Sequence, residues 1–131
     1  MTINLKGVVV SIDPKELIAK TPTQLFINGK WGDSSSSETF DVENPATGEV
    51  IATVASATGD DAIKALDAAS DAQYEWSHTS TRERSSILKK AFDLVQENSE
   101  ELATLMTLEM GKPLAESRGE VTYGGEFLRW F

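Results

Sequence analysis

The sequence predicts an α/β fold in which β-hairpins come first and three or four helices follow. Turn signals concentrate in the first 57 residues: Asn28-Gly29 is a strong hairpin dipeptide, and residues 44–48 form the turn-like NPATG. From residue 58 onward the apolar residues recur at helical spacing instead. This change of period divides the chain into a hairpin part and a helical part.

Two hairpins are predicted in the first part of the chain. The first turns at Asn28-Gly29, since both residues tolerate positive φ, and the second turns around Pro45, whose ring fixes φ. The four consecutive serines at 34–37 are expected in a solvated loop between them. The predicted strands are residues 25–27, 30–31, 39–43 and 50–54. Upstream, strand character is weak around residues 8–12, and one or two helical turns are expected over 15–20.

Helix starts and ends are marked by capping and stop signals. Thr58 with Asp61, and Ser80 with Glu83, have the spacing of a capping box. Gly111 followed by Pro113 predicts the end of one helix and the start of the next. The pair Asn98-Ser99 either interrupts or only kinks the apolar stripe. That stripe includes Ile87, Leu88, Phe92, Val95, Leu102, Leu105, Met106 and Met110, and an earlier stripe, on the helix that starts near Thr58, includes Ile63, Leu66 and Ala69.

Composition narrows the classes of function. The net charge is -9, from 21 acidic and 12 basic residues, so no nucleic-acid partner is expected. The chain has no cysteine and one histidine, which excludes a cysteine nucleophile and a thiolate metal site within it. The apolar run at residues 8–10 is far too short for a signal-peptide core or a membrane span. We therefore expect a cytoplasmic protein with no membrane partner.

No complete catalytic constellation is found along the sequence. Gly111-Lys112 lacks the upstream glycine of a Walker motif, so helix termination is the expected role. Gly119 and Gly124-Gly125 do not form a G-x-G-x-x-G pattern, and close helix packing is expected there. His78 is expected to be exposed between two helices.

The remaining polar, sulfur-containing and aromatic candidates have structural interpretations. The carboxylates of Glu100-Glu101 and Glu109 are expected on a solvated face or at a helix end. Met106 and Met110 lie one helical turn apart, which predicts core packing and not a metal site. The three tryptophans are expected to be core or interface anchors; they are Trp31, Trp76 and Trp130.

Four segments, taken in order, resemble the N-terminal part of an aldehyde dehydrogenase. They are residues 25–31, 42–51, 81–84 and 108–131. The last, LEMGKPLAESRGEVTYGGEFLRWF, is the most specific and is similar to the succinate-semialdehyde dehydrogenase branch. The resemblance covers residues 23–131, interpreted as a truncated N-terminal part of the NAD(P)-binding domain. Residues 1–22 form a head segment outside it.

The resemblance implies an NAD(P)-dependent oxidation of an aldehyde to a carboxylate. A cysteine thiolate attacks the aldehyde, a hydride passes to the nicotinamide, and a glutamate activates the water that hydrolyses the thioester. In the family those residues and the Rossmann-like glycine motif lie downstream of the part matched here. The parent enzyme is thus expected to use NAD or NADP, to take a small aldehyde and to form a homodimer or homotetramer. The fragment itself is expected to be inactive and to bind no cofactor well, and it receives no catalytic, cofactor-binding or metal residue.

Two further implications concern particular residues. Some family members hold a monovalent cation near the positions matching Val42-Glu43 and Glu109, although helix-end solvation is the preferred interpretation of Glu109. In the family this region packs against a later parallel sheet, so Phe127, Leu128, Trp130 and Phe131 would be core residues whose partners are missing. Exposure of such a surface predicts poor solubility or self-association. A fragment acting on another aldehyde and a non-catalytic interaction module remain as alternatives.

Overall fold

The computed structural model describes residues 12–131 and has two hairpins followed by four helices, with one short helix in front. The fold class is therefore the one predicted. The predicted strand character around residues 8–12 falls almost entirely outside the described residues. The elements are α1 (Pro14–Lys20), β1 (Leu25–Ile27), β2 (Lys30–Gly32), β3 (Thr39–Asn44), β4 (Glu49–Ala55), α2 (Gly59–His78), α3 (Thr81–Glu97), α4 (Ser99–Met110) and α5 (Leu114–Trp130).

The first hairpin pairs β1 with β2 in antiparallel register, with Ile27 opposite Lys30. Asn28 and Gly29 form its turn with φ angles of 51° and 72°. Two positive φ angles define a type I′ turn, whose twist matches that of the flanking strands. The Phe26 and Trp31 rings lie on paired residues with their centroids 4.9 Å apart. The predicted hairpin is confirmed.

The second hairpin pairs β3 with β4 and forms a separate two-stranded sheet. Its register shifts between Val42 and Glu43, which marks a bulge. At the turn, the Asn44 side-chain Oδ1 accepts the Ala46 N–H at 2.9 Å, and the Asn44 carbonyl accepts the Gly48 N–H at 2.7 Å. Gly48 has φ 72°, so the predicted turn is also confirmed.

A buried carboxylate fastens the serine loop to the start of α2. Asp61 is 4% exposed, and its Oδ2 accepts hydrogen bonds from the Thr58 N–H at 3.0 Å and the Ser35 N–H at 3.1 Å. The Ser34 hydroxyl, 4% exposed, donates to the same oxygen at 3.3 Å. The Asp61 N–H in turn donates to Thr58 Oγ1 at 3.2 Å, which completes the predicted capping box. The expectation of a wholly solvated serine loop is wrong for Ser34, because Asp61 draws it inward.

These bonds also hold Asp61 in its charged form. The Thr58 backbone N–H is the largest cause of a pKa well below the usual aspartate range, with the Ser35 backbone N–H and the Thr58 and Ser35 hydroxyls contributing, while burial acts in the opposite direction. The carboxylate also lies at the positive end of the α2 dipole. Asp61 is thus an anchor that unites a loop and a helix start.

Polar side chains cap both ends of α3. Ser80 Oγ accepts the Glu83 N–H at 3.2 Å, but no return bond from the Glu83 carboxylate is found among the described residues, so only half of that predicted pair forms. Asn98 interrupts the helix instead of kinking it, with φ −102° and ψ 13°. Its Nδ2 donates to the Leu94 carbonyl at 2.8 Å and closes the end of α3.

The predicted helix end at Gly111 and helix start at Pro113 are confirmed. Gly111 adopts φ 72°, and its N–H donates to the Thr107 carbonyl at 2.9 Å. A methyl group added at Gly111 would lie 2.9 Å from Pro45 Cγ, which shows how closely the β3–β4 turn approaches this point. Pro113 then precedes α5. Position 111 therefore requires glycine for both its backbone conformation and its limited space.

The buried core of the described chain is small and centres on α4. Its hydrophobic members are Leu17 of α1, Ala103 of α4 and Val121 of α5. Ser117 of α5 is also fully buried, and its hydroxyl lies 2.8 Å from Thr107 Oγ1 of α4. Three small or apolar side chains and one satisfied hydroxyl therefore hold α1, α4 and α5 together.

The expectation of close packing at the α5 glycines holds at one position only. A methyl group at Gly125 would lie 3.4 Å from Val95 Cγ1 on α3, so glycine there allows the two helices to approach. Nothing described lies within 4 Å of such a group at Gly119 or Gly124, and the expectation is wrong for both, because both positions are exposed.

Several residues expected in the core are exposed. Met110 is 61% exposed, although Met106 on the same helix is half-buried. The tryptophans are not core anchors in the described chain, since Trp31, Trp76 and Trp130 are 52%, 41% and 81% exposed. One physical reason explains all of these exposures. Periodicity identifies an apolar face, but within residues 12–131 no element covers these faces.

Gly111 and Gly119 should respond in opposite directions to alanine. We expect Gly111→Ala to lower the free energy of unfolding by about 1–2 kcal/mol, because a Cβ is disfavoured at positive φ and would meet Pro45. Gly119→Ala should raise it by about 0.5–1 kcal/mol, since its exposed helical position has room for a methyl group. Urea titration of both variants measures the difference, and shifts in the same direction would contradict this account of Gly111.

Asp61→Asn should lower the urea midpoint at neutral pH, because an amide cannot accept every hydrogen bond that the carboxylate accepts. The folded-state pKa of Asp61 is depressed, so its stabilisation is complete above the ordinary aspartate pKa of about 3.9 and is lost as the pH falls below it. The difference in urea midpoint between the wild type and Asp61→Asn should therefore become smaller in acid. Asp60→Asn, at an exposed neighbouring position, is the matched control; an equal effect there would contradict the anchor role.

Candidate functional site

The sequence-derived candidates lie apart from one another, at the ends and surfaces of different elements. His78 is exposed at the end of α2, as predicted. Its Nδ1 lies 2.8 Å from the Tyr74 carbonyl and 3.2 Å from Ser77 Oγ, and its ring centroid is 4.4 Å from that of Tyr74. These contacts place His78 at the end of α2, against a Tyr74 carbonyl that also accepts a hydrogen bond from the Ser77 hydroxyl at 2.7 Å.

Of the residues at the possible cation positions, Val42 is half-buried and the two glutamates are exposed. Glu43 is exposed on β3 and Glu109 is exposed near the end of α4. Among residues 12–131, no three acidic, histidine or cysteine side chains come together in a way that could hold a metal ion. The exposed helix-end position of Glu109 agrees with the preferred interpretation, while a cation site at these residues stays a prediction.

Glu100 and Glu101 link helices that are distant in sequence. The Glu100 carboxylate accepts hydrogen bonds from Arg118 Nε and Nη2, both at 2.9 Å, and thereby joins α4 to α5. This bidentate contact raises the pKa of the Arg118 guanidinium. Glu101 pairs with Lys20 of α1 at 2.5 Å. We expected these two carboxylates on a solvated face or at a helix end. That expectation is incomplete, because each carboxylate also connects α4 to another helix.

Asp61 is excluded as a general base by the same bonds that make it an anchor. A depressed pKa makes a carboxylate a weak proton acceptor near neutral pH. Its oxygens also point at the Thr58 and Ser35 donors and not at an open cavity. Burial and a shifted pKa can mark an active site, but here both have a structural cause.

Two features of a Rossmann-type dinucleotide site are missing from residues 12–131. Gly119, Gly124 and Gly125 lie inside α5, where helical hydrogen bonding uses the backbone N–H groups, and α4 precedes this helix instead of a strand. Both sheets are antiparallel pairs, so the described residues have no row of parallel strand ends beside which a nicotinamide dinucleotide could lie. No reaction step can therefore be assigned to a cofactor held by these residues.

An open apolar groove lies on the last half of α5 and has a volume of about 360 Å³. It is lined by Tyr123, Glu126, Phe127, Trp130 and Phe131. The Tyr123 and Phe127 rings meet edge to face with centroids 5.2 Å apart. The Glu126 carboxylate is paired with Arg129, which raises the pKa of that guanidinium.

This groove is lined mainly by aromatic side chains and can pack against an apolar partner. Phe127 is 51% exposed, and Trp130 and Phe131 are more exposed still, while Leu128 is half-buried. A contiguous surface of this kind ordinarily marks a contact with another polypeptide or a missing part of the same fold. None of the helices in the described chain is long and apolar enough to cross a membrane.

Comparison with known proteins gives this surface a context. Residues 31–131 match the model of the aldehyde dehydrogenase family. The chain is 63% identical over 82 residues to the succinate-semialdehyde dehydrogenase of Paenarthrobacter nicotinovorans, covering 63% of this chain and 18% of that protein. It is 45% identical over 108 residues to the glutarate-semialdehyde dehydrogenase of Pseudomonas putida, and 44% identical over 108 residues to the NADP(+) succinate-semialdehyde dehydrogenase GabD of Escherichia coli. Each of these two alignments covers 82% of this chain and 22% of the relative.

The fold agrees with solved enzymes of the same kind. The betaine aldehyde dehydrogenase of Staphylococcus aureus in complex with NAD+ superposes with a TM-score of 0.85 at 33% identity, covering 89% of this chain and 24% of that enzyme. The chain thus spans about a fifth of the length of the curated relatives it matches. Because the family model accounts for residues 31–131, the chain belongs to the aldehyde dehydrogenase family.

Proposed function

We propose that this chain is the N-terminal segment of an NAD(P)-dependent aldehyde dehydrogenase that oxidises succinate semialdehyde to succinate. The choice of substrate is supported by the 63% identity with a succinate-semialdehyde dehydrogenase. The same substrate is in the name of the E. coli relative. Both succinate and glutarate semialdehyde, the two substrates named among these relatives, carry an aldehyde at one end and a carboxylate at the other. We therefore propose an aldehyde that bears a distal carboxylate.

Within that enzyme the described residues serve as structure and not as catalysts. The family's chemistry needs a cysteine thiolate, and the 131 residues contain no cysteine. The described side chains with the strongest contacts, Asp61 and Arg118, are committed to fixing loops and helices. The 131-residue chain alone is therefore proposed to be inactive.

The apolar groove on α5 supports a segment over an independent interaction module. A small core beside large exposed aromatic side chains is unfavourable for a free-standing domain. Packing against further polypeptide of the same enzyme would remove that surface from water. A module that binds a separate protein through this groove is the second candidate function, and it would have to bury the same residues.

The cofactor, the assembly and the location rest on the relatives and the composition. NAD and NADP both remain open, because one similar enzyme is NADP-dependent by name and another was solved with NAD+. Assembly of the parent enzyme as a homodimer or homotetramer and a cytoplasmic location stay predictions.

The purified 131-residue chain should give no reduced nicotinamide from succinate semialdehyde with either NAD or NADP. The absorbance of the reduced cofactor measures the reaction, with the P. nicotinovorans relative assayed in parallel as the positive control. Turnover above the enzyme-free background, in material shown by mass spectrometry to contain only this chain, would contradict the proposed inactivity.

The substrate is tested on the polypeptide obtained by extending the reading frame past Phe131. We expect kcat/KM to be highest for succinate semialdehyde, lower for glutarate semialdehyde and lowest for betaine aldehyde, which has a cation in place of the carboxylate. A preference for betaine aldehyde would overturn the substrate class. A stop codon directly after Phe131, with a stable monodisperse chain, would instead favour the interaction module.

A further inference from the structure

The turn of the first hairpin presents a side-chain amide next to an unhindered main-chain nitrogen. Asn28 and Gly29 are both exposed, with φ angles of 51° and 72°. No described atom outside the turn lies within 4 Å of where a Gly29 side chain would begin. Gly29 has no side chain to shield its own nitrogen, and the space that a side chain would occupy is open.

Both potentially reacting groups are also free of competing contacts in the described structure. The strand pairing ends at Ile27 and Lys30, and no hydrogen bond to the Asn28 amide or from the Gly29 N–H is found among residues 12–131. Bringing the Gly29 nitrogen to Asn28 Cγ requires rotation about the Asn28 backbone and side chain. Glycine can absorb the compensating change in φ and ψ at little steric cost.

We propose that Asn28 is a site of spontaneous deamidation through a cyclic imide. The deprotonated Gly29 nitrogen attacks Asn28 Cγ, a bond between these atoms forms, the Cγ–Nδ2 bond breaks, and ammonia leaves. Water then adds to either carbonyl of the five-membered imide and opens it to aspartate or isoaspartate. The net change consumes one water and releases one ammonia, with no oxidant or reductant.

The other two asparagines of the described chain lack this combination. Asn44 precedes Pro45, whose nitrogen has no proton to lose, and its Oδ1 already accepts the Ala46 N–H at 2.9 Å. Asn98 donates through Nδ2 to the Leu94 carbonyl at 2.8 Å and precedes the bulkier Ser99 at the start of α4. The modification should thus be selective for Asn28 among the three.

The products differ in their effect on the hairpin. Either product adds one negative charge to the formal net charge of -9. Isoaspartate also inserts a methylene into the main chain of a two-residue turn, so the type I′ geometry is lost. The pairing of Ile27 with Lys30 and the contact between the Phe26 and Trp31 rings both depend on that geometry.

Peptide mapping by mass spectrometry, over a time course at mildly alkaline pH, tests the proposal on the folded 131-residue chain. We expect the peptide containing Asn28 to convert into aspartate and isoaspartate forms, while the peptides containing Asn44 and Asn98 remain unchanged. Isoelectric focusing should show a species more acidic by one charge. Hydroxylamine, which cleaves at cyclic imides, should cut the aged chain between residues 28 and 29.

Asn28→Gly is the matched control, because glycine keeps the positive φ of the turn and removes the reactive amide. This variant should show neither the acidic species nor the hydroxylamine cleavage. Urea-denatured wild-type chain supplies the rate for an unstructured Asn-Gly pair. If Asn28 reacts in urea but stays intact in the folded chain, or if it reacts no faster than Asn98, the proposal is overturned.

Discussion

The reversal at Gly111 is the constraint on which most of the described packing depends. It turns α5 back so that Ser117 reaches Thr107 on α4 and Gly125 reaches Val95 on α3. The turn of the second hairpin lies against it through Pro45. Two ion pairs then extend the arrangement, because Glu100 holds α5 and Glu101 holds α1. A different backbone at residue 111 would therefore disturb the helices and the second hairpin together.

Local features were largely predictable from the sequence because they depend on adjacent residues. The Asn28-Gly29 turn, the Thr58–Asp61 capping box and the helix end at Gly111 each follow from a conformational or hydrogen-bonding preference within four residues. The family was also predicted correctly, since residues 108–131 carry a specific pattern and lie within the matched family model.

Contacts between distant residues could not be predicted in the same way. Nothing in the spacing shows that Asp61 would bind Ser34 and Ser35, or that Glu100 would bind Arg118, because tertiary packing brings these pairs together. Met110 and Trp130 illustrate the opposite error. Helical periodicity indicates correctly that a face is apolar, but burial needs a covering element, and the described chain does not provide one for these side chains.

The separation of the two hairpins has a consequence for the order in which the chain loosens. Each is a two-stranded sheet, and such a pair is only marginally stable in water without a third strand or a helix. The turn of the second hairpin packs against Gly111 through Pro45. The first hairpin is shorter, because β1 and β2 have three residues each. We therefore expect the first hairpin to have the lowest free energy of local opening, and its amide hydrogens to exchange first. Helices α4 and α5 contain most of the buried residues, so their free energy of opening should be the highest.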